Sequence, residues 1–567
     1  MPFRAPVDDF RFILSHVAPM AKLTQTEVFA EATPDMTDAV LGEMGKLMEE
    51  VMEPTRRNGD LQGAVLENGV VRTSPGFKEA FQQMAEGGWI GISSSPEYGG
   101  MGLPLAMNTA FTDMMAATNM ALGLCPLLTQ GQIEALEHHA SDEIKELYLP
   151  RLISGEWTGT MNLTEPGAGS DVGALKSKAE PNGDGTYAVT GQKIFITWGD
   201  HDFGGNVCHL VLARLPDGVP GTKGISLFMV PKFIPDEDGN LGERNSLSVV
   251  SLEHKMGIHG SPTAVMQFDG AKGWLIGAPH KGMAAMFTMM NNARLGVGAE
   301  GIGIAEGATQ AATAYAAERK QMGAIINHAD VRRMLLTMKA DTFAARAIAL
   351  NCAVALDMGT ATGEAEWTAR GALLTPIAKA FGSDTGITVA EMGVQVHGGM
   401  GFIEETGAAQ YSRDGRITAI YEGTNGIQAM DLVGRKMMDG GEAAYALLDE
   451  IEANAEKARC ASAGLSDLAE PVWQATETLR EGVEWLVGQT DMNARFAGCV
   501  PFLKAFARVL GGHYHLVAAM AEGADGPRTK LAKFYINRLV PEHEGLLAHA
   551  QAGADDLYAF DVEELTA

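Results

Sequence analysis

The chain has 567 residues, 46% of them hydrophobic, with 43 basic against 71 acidic residues and a net charge of −28. At about 150 residues per domain this length predicts three or four domains, and without a dense Lys/Arg run the negative charge excludes general DNA binding. Five cysteines (Cys125, Cys208, Cys352, Cys460, Cys499) stand far apart with no C-x-x-C pair, so a disulfide framework or structural zinc site is not expected and a reducing compartment fits.

In chain order, residues 1–35 read as an extension with Phe10, Ile13, Leu14 and Val17 at helical spacing. Asp8 and Asp9 stand where a signal peptide carries its apolar stretch. No uninterrupted apolar run approaches the ~18 residues of a membrane span. The expectation is a cytoplasmic protein without membrane insertion. Residues 36–157 read as a mostly helical domain, interrupted by the loop ISSSPEYGGMGLP. From 158 to 276 short β-rich runs such as TYAVTG, CHLVLARL and GISLFMV alternate with turn signals such as Asn182-Gly183-Asp184-Gly185. They predict an antiparallel β domain of about six to eight strands. Helical periodicity returns over 277–440, and a seam at Asp439-Gly440-Gly441 sets off a helical block over 441–567. The fold class is α+β: an N-terminal helical domain, a central antiparallel β domain, a helical bundle and an extra C-terminal helical domain.

Four segments hold residues suited to chemistry. In MNLTEPGAGSD (161–171), glycines let backbone N–H groups approach a ligand, and Thr164 and Ser170 add hydroxyls; an ordinary Gly/Pro turn would look similar. In KIFITWG (193–199), strand alternation places Ile194, Ile196 and Trp198 on one face and Phe195 with Thr197 on the other. Such a face could stack on a planar ring, or could be a half-buried strand. QVHGGMGF (395–402) closes a helix with three glycines in four residues beside Gln395, more than a helix C-terminus needs. In ITAIYEGTNGIQ (417–428), Glu422 sits between an apolar run and a turn. Desolvation there would raise its pKa and suit it to proton abstraction, although most glutamates beside turns are solvated caps.

Other signals carry less. Gly296 to Gly301 matches G-x-G-x-x-G but follows helical rather than strand spacing, so it reads as close helix packing. His138-His139 with Glu134 and Glu137 read as an exposed helix face rather than metal ligands, and His513 and His515 as structural. No metal is expected.

In order and spacing, these segments resemble the acyl-CoA dehydrogenase family of flavoproteins over about residues 40–440. LTEPGAGSD is similar to the family's first flavin segment and KIFIT to its second. Arg319-Lys320-Gln321-Met322-Gly323 resembles its R-x-x-F-G element, Gln395 to Gly399 its Q-x-x-G-G element, and Tyr421 to Thr424 its Y-E-G-T. FRAPVDDFRFIL, KMGIHGSPT and the C-terminal block resemble the long branch that acts on 3-(methylthio)propanoyl-CoA in dimethylsulfoniopropionate breakdown.

The resemblance implies FAD and an acyl-CoA substrate dehydrogenated to the trans-2-enoyl-CoA. Glu422 would remove the α-proton while the β-hydrogen leaves as hydride, and the Glu422 N–H would help hold the enolate-like oxygen. By the same resemblance Met161, Leu163, Thr164 and Ser170 would line the flavin or its phosphates. Phe195, Ile196 and Thr197 would lie along the isoalloxazine, Arg319 at the pyrophosphate across a subunit interface, and Gln395 and Gly399 near the adenosine. Thr424 and Gln428 would meet flavin phosphate or ribose, while Ser170, Arg294 and Gly423 would lie near the substrate. Met322, Asn291 and Ala329 depart from the family pattern at the adenine and CoA ends. Electron-transferring flavoprotein is the implied acceptor. A homodimer is implied too, because the C-terminal block would cover the surface that shorter relatives use for tetramers.

Overall fold

The protein is described from a computed structural model that covers residues 3–461 and 463–567. Two compact units arise from interleaved stretches of chain: one combines the segment up to Glu43 with Pro104–Ala117 and Arg294–Ala567, the other Met44–Leu103 with Thr118–Ala293.

The second unit carries the β domain. Its main sheet uses β1 (Thr158–Asn162), β2 (Lys178–Pro181), β3 (Tyr187–Thr197), β4 (Val207–Arg214), β5 (Ile225–Pro231), β6 (Leu247–Leu252) and β7 (Thr263–Ile276). Pairings β7–β3, β3–β2, β2–β4, β4–β5 and β5–β7 close a ring, with β6 added on β7 and β1 on β4. The sheet is mixed rather than wholly antiparallel, since β1 and β2 both run parallel to β4. The chain crosses over between these strands instead of turning back through a hairpin, which leaves parallel pairing as the outcome. Val189, Val211, Phe228, Val230, Met266 and Phe268 fill the interior. Near-continuous apolar runs on β4 and β5 suit strands buried on both faces.

Helices of the same unit pack on this domain. In Phe77–Glu86 the buried positions Phe77, Ala80, Phe81 and Met84 form one stripe. Phe81 stacks on Phe203 at 5.0 Å, and Phe203 lies 5.3 Å from Trp198. The His138–His139 region is not simply an exposed face. His139 Nε2 lies 2.8 Å from Thr288 Oγ1, and Glu134 accepts a 2.5 Å hydrogen bond from Asn292. Burial pushes the Glu134 carboxyl up to about 7.

The first unit is helical: α1 (Val7–His16), α2 (Gly282–Glu318, from Arg294 onward), α3 (Ala329–Thr362), α4 (Ala365–His397), α5 (Asn425–Asp431), α6 (Glu442–Arg459), α7 (Ala463–Gly488), α8 (Cys499–Glu522) and α9 (Pro527–Arg538). α3 is long and apolar enough to cross a membrane by composition, but most of it is buried as a core helix. Phe10, Ile13 and Leu14 of α1 are buried, and Asp9 is paired with Arg528 at 2.7 Å.

Arg346 on α3, 1% exposed, binds Asp113 at 2.8 Å and Glu306 at 3.0 Å and lies over the Phe10 ring. One buried cation thereby joins four segments. α8 is the centre of the C-terminal block. His515 on it is buried, stacks on Tyr535 and faces the Ala340 carbonyl.

The glycines of α2 act in packing. A Cβ on Gly298 would stand 2.7 Å from the Ala378 carbonyl oxygen, and one on Gly301 would stand 2.3 Å from that of Gly382. Gly382 and Gly386 of α4 meet the backbones of Gly298 and Gly301 in return. Only residues without a Cβ let these helices cross at backbone contact. The crossing brings Glu300 of α2 and Lys379 of α4 to the same loop.

Candidate active site

In the β-rich unit, the two segments expected at a flavin are tied together by a buried ion pair. Lys193 Nζ lies 2.8 Å from Glu165 and donates to the Leu163 carbonyl at 3.1 Å. Glu165 also accepts the Lys176 N–H at 2.6 Å and the Ser177 N–H at 3.0 Å. The Ile194 N–H donates to the Thr164 carbonyl at 2.9 Å. Burial lowers the Lys193 pKa to about 8. Burial also works against the Glu165 carboxylate, yet Lys193 and the surrounding donors hold its pKa below the usual range. Sequence alone gives neither residue a role; a lysine within an otherwise apolar strand is the one signal that points to the pair.

β3 does not alternate to its end. Lys193 pairs with Met266 and Ile196 with Ala264, so Ile194 and Phe195 together face one partner residue. This bulge changes which face the last residues of the strand present. Ile196 joins the barrel core beside Val189, leaving only its backbone for a ligand, and it does not share a regular face with Ile194 and Trp198 as expected. Phe195 turns outward at φ 60° and is 59% exposed. Met161, Leu163, Thr164 and Thr197 are half-buried and Ser170 is exposed. At Gly167 and Gly169 a Cβ would meet nothing within 4 Å, so the chain itself does not demand glycine there.

In the helical unit, Glu422 stands on the loop entering α5 at φ 53°, a left-handed conformation uncommon outside glycine. The loop is held from several sides. Gln428, fully buried, donates to the carbonyls of Glu422 at 3.2 Å and Gly423 at 3.4 Å. Lys379 donates to the Gly423 carbonyl and to Asn425 Oδ1, each at 2.9 Å. Thr424 caps α5 by accepting the Ile427 N–H, and the Tyr421 hydroxyl donates to Glu300.

Glu422 Oε2 is buried without a hydrogen-bond partner among the described residues, and the Glu422 N–H makes no hydrogen bond among them. Burial raises the Glu422 pKa to about 7 against the pull of Arg294 and Lys379. Arg294, 5% exposed, is itself paired with Asp431 at 3.2 Å. A carboxylate with one unpartnered oxygen and a pKa near neutrality is suited to accept a proton.

Among the described residues, the other predicted ones of this unit, Gln428 apart, make no hydrogen bond or ion pair with Glu422. Arg319 is exposed just after α2, Met322 at φ 52° is 96% exposed, and Gln395 and Gly399 are exposed at the end of α4. Tyr315 stacks on His397 with centroids 4.4 Å apart, which joins these two helix ends. Gln428 is an internal brace with Oε1 unpartnered. Lys379, Asn425, Asp431 and Glu300 do not stand out in the sequence as site residues, because their partners are distant along the chain.

The chain matches the acyl-CoA dehydrogenase N-terminal domain over 36–156, the middle domain over 160–295, the C-terminal domain over 280–438, and the acetyl-CoA dehydrogenase C-terminal-like domain over 447–561. It is 43% identical to 3-methylmercaptopropionyl-CoA dehydrogenase of Ruegeria pomeroyi, across 93% of this chain and 92% of the relative. The chain belongs to the acyl-CoA dehydrogenase family.

A butyryl-CoA dehydrogenase of Syntrophomonas wolfei is 38% identical over 76% of this chain and 74% of its own. The FAD complex of an acyl-CoA dehydrogenase from Bacillus anthracis, 21% identical, shares the fold with a TM-score of 0.76 over 92% of this chain and 88% of its own. This acyl-CoA dehydrogenase is an FAD-dependent oxidoreductase acting on acyl-CoA. Its residues fit the cofactor. In the β-rich unit Phe195 offers an exposed aromatic face, and Gly167 and Gly169 leave open space that a side chain would fill.

Proposed function

We propose that the enzyme converts 3-(methylthio)propanoyl-CoA to 3-(methylthio)acryloyl-CoA in dimethylsulfoniopropionate catabolism, with Glu422 as the general base. The substrate reading is supported by the Ruegeria pomeroyi relative, which matches nearly end to end. The base assignment is carried by Glu422 itself: a carboxylate at about 7 with one buried, unpartnered oxygen on a braced loop.

Glu422 takes the α-proton as the β-hydrogen leaves and the Cα=Cβ bond forms. An α-proton of a thioester is far less acidic than a carboxylic acid, so the developing oxygen charge needs a donor. The unengaged Glu422 N–H supplies one. Arg294 and Lys379 favour the ionised base, and Oε2 is buried away from water. FAD, when bound, supplies the two-electron acceptor for the β-hydrogen.

Met161, Leu163, Thr164, Ser170, Phe195, Thr197 and the Ile196 backbone serve the flavin; Arg319, Gln395, Gly399 and Thr424 serve its ribose, phosphates and adenosine, while Gln428, with no exposed surface, braces the loop from inside rather than meeting the cofactor. Ser170, Arg294 and Gly423 serve the substrate. The enzyme works in the cytoplasm as a homodimer and passes electrons to electron-transferring flavoprotein.

The test is anaerobic titration of the flavoprotein with butanoyl-CoA, 3-(methylthio)propanoyl-CoA and octanoyl-CoA, following flavin absorbance and the enoyl-CoA formed. The methylthio substrate is expected to bleach the flavin at the lowest concentration. Preferential bleaching by butanoyl-CoA or octanoyl-CoA replaces this with short- or medium-chain β-oxidation, a reading favoured by the Syntrophomonas wolfei butyryl-CoA dehydrogenase. Rapid peroxide formation in air would identify an oxidase.

A further inference from the structure

Glu300 is a buried carboxyl that proton abstraction does not consume. It lies on α2 between Gly298 and Gly301, is 2% exposed and makes no ion pair among the described residues. Its hydrogen-bond partner is the hydroxyl of Tyr421, the residue immediately before Glu422. The close crossing of α2 and α4 carries Glu300 to this loop, where Lys379 of α4 grips the far side through Gly423.

We propose that Glu300 is a positioning residue for proton abstraction: by anchoring the Tyr421 hydroxyl it holds the loop on which the base stands. The inference rests on Glu422 being that base. Burying a carboxyl is costly unless it is neutral or paired, and Glu300 takes the neutral course. The titratable groups acting on it are Tyr421 and Glu422 of the loop and Lys379 of α4. Burial raises its pKa to about 8, the Glu422 charge adds to this, and Tyr421 and Lys379 oppose it. Both carboxyls are raised, Glu300 the further, so Glu422 gives up its proton before Glu300 does. A neutral acid anchors the loop without adding a second negative charge where a carboxylate and an enolate-like oxygen already face each other.

The experiment compares Glu300→Leu, Glu300→Gln, Tyr421→Phe, the Glu300→Leu/Tyr421→Phe double variant and Glu422→Gln, each checked for bound flavin. Misplacing the base is expected to lower kcat about tenfold in Glu300→Leu and in Tyr421→Phe with KM little changed, and the double variant loses no more than either. Glu300→Gln keeps an acceptor for Tyr421 and restores most of the loss. Its acid limb in kcat/KM stays where the wild type has it, because Glu300 carries no charge there. Multiplicative losses in the double variant, or a downward shift of that limb in Glu300→Gln, overturn the proposal. Should Glu300→Leu fail to fold, Tyr421→Phe and the Glu300→Gln pH profile carry the same decision. Full activity in Glu300→Leu beside an inactive Glu422→Gln removes this proposal alone. Full activity in Glu422→Gln removes the base assignment and this proposal with it.

Discussion

Glu422 combines a positive φ with a buried, unpartnered oxygen, and each feature has a measurable consequence. As the proposed base Glu422 must be ionised to accept a proton, and burial raises its pKa to about 7. In the free enzyme kcat/KM therefore rises with pH through about 7 and levels off above it, read from an initial-rate pH profile. A profile already flat at about pH 5 would mean the carboxylate is not raised. Glu422→Gln should retain flavin and lose about 10²–10⁴ in kcat, the range for general base catalysis. Lys193 makes a separate prediction. Lys193→Met leaves Glu165 buried without its cation, at a cost of about 3–5 kcal/mol. Chemical denaturation should show that loss, together with weaker flavin retention, since the same pair ties together the two segments proposed to hold the flavin.

At the scale of elements, glycines divide into two kinds. Gly301 is glycine because a Cβ would stand 2.3 Å from the Gly382 carbonyl oxygen. Gly301→Ala should lower stability by about 1–3 kcal/mol through overpacking, measured from the denaturation midpoint. At Gly399 a Cβ would meet nothing within 4 Å. Gly399→Ala should leave apoprotein stability within about 0.5 kcal/mol while weakening FAD binding by equilibrium titration.

This contrast shows what the sequence could reveal. Helical spacing identified Gly296 to Gly301 as packing, and the buried stripe of α1 was legible in Phe10, Ile13 and Leu14. The β domain was legible from its turn signals, but its parallel pairings depend on the path of long connections. The bulge at Ile194–Phe195 was invisible because alternation continues on paper where the partner strand skips a residue. Glu422 stood out through its motif. Lys379 and Glu300 did not, since only the α2–α4 crossing makes them neighbours of the loop.

At the scale of the molecule, the N- and C-terminal ends belong to one helical unit bound by charge. Arg346 neutralises Asp113 and Glu306 in a site 1% exposed at the arginine, while Asp9 binds Arg528. Replacing Arg346 by Met leaves two carboxylates uncompensated and should cost about 3–5 kcal/mol, seen as a lower Tm. For the proposed homodimer light scattering should give the mass of two chains; a mass of four would contradict it.

The proposed removal of the α-proton by Glu422 sets how fast substrate reduces the bound flavin. Its most direct test is anaerobic stopped-flow reduction of the bound flavin by 3-(methylthio)propanoyl-CoA, comparing wild type with Glu422→Gln. Rapid bleaching is expected in the wild type and, in the variant, bleaching slowed by about 10²-fold or more despite full flavin occupancy. Bleaching of the variant at the wild-type rate would place the base elsewhere.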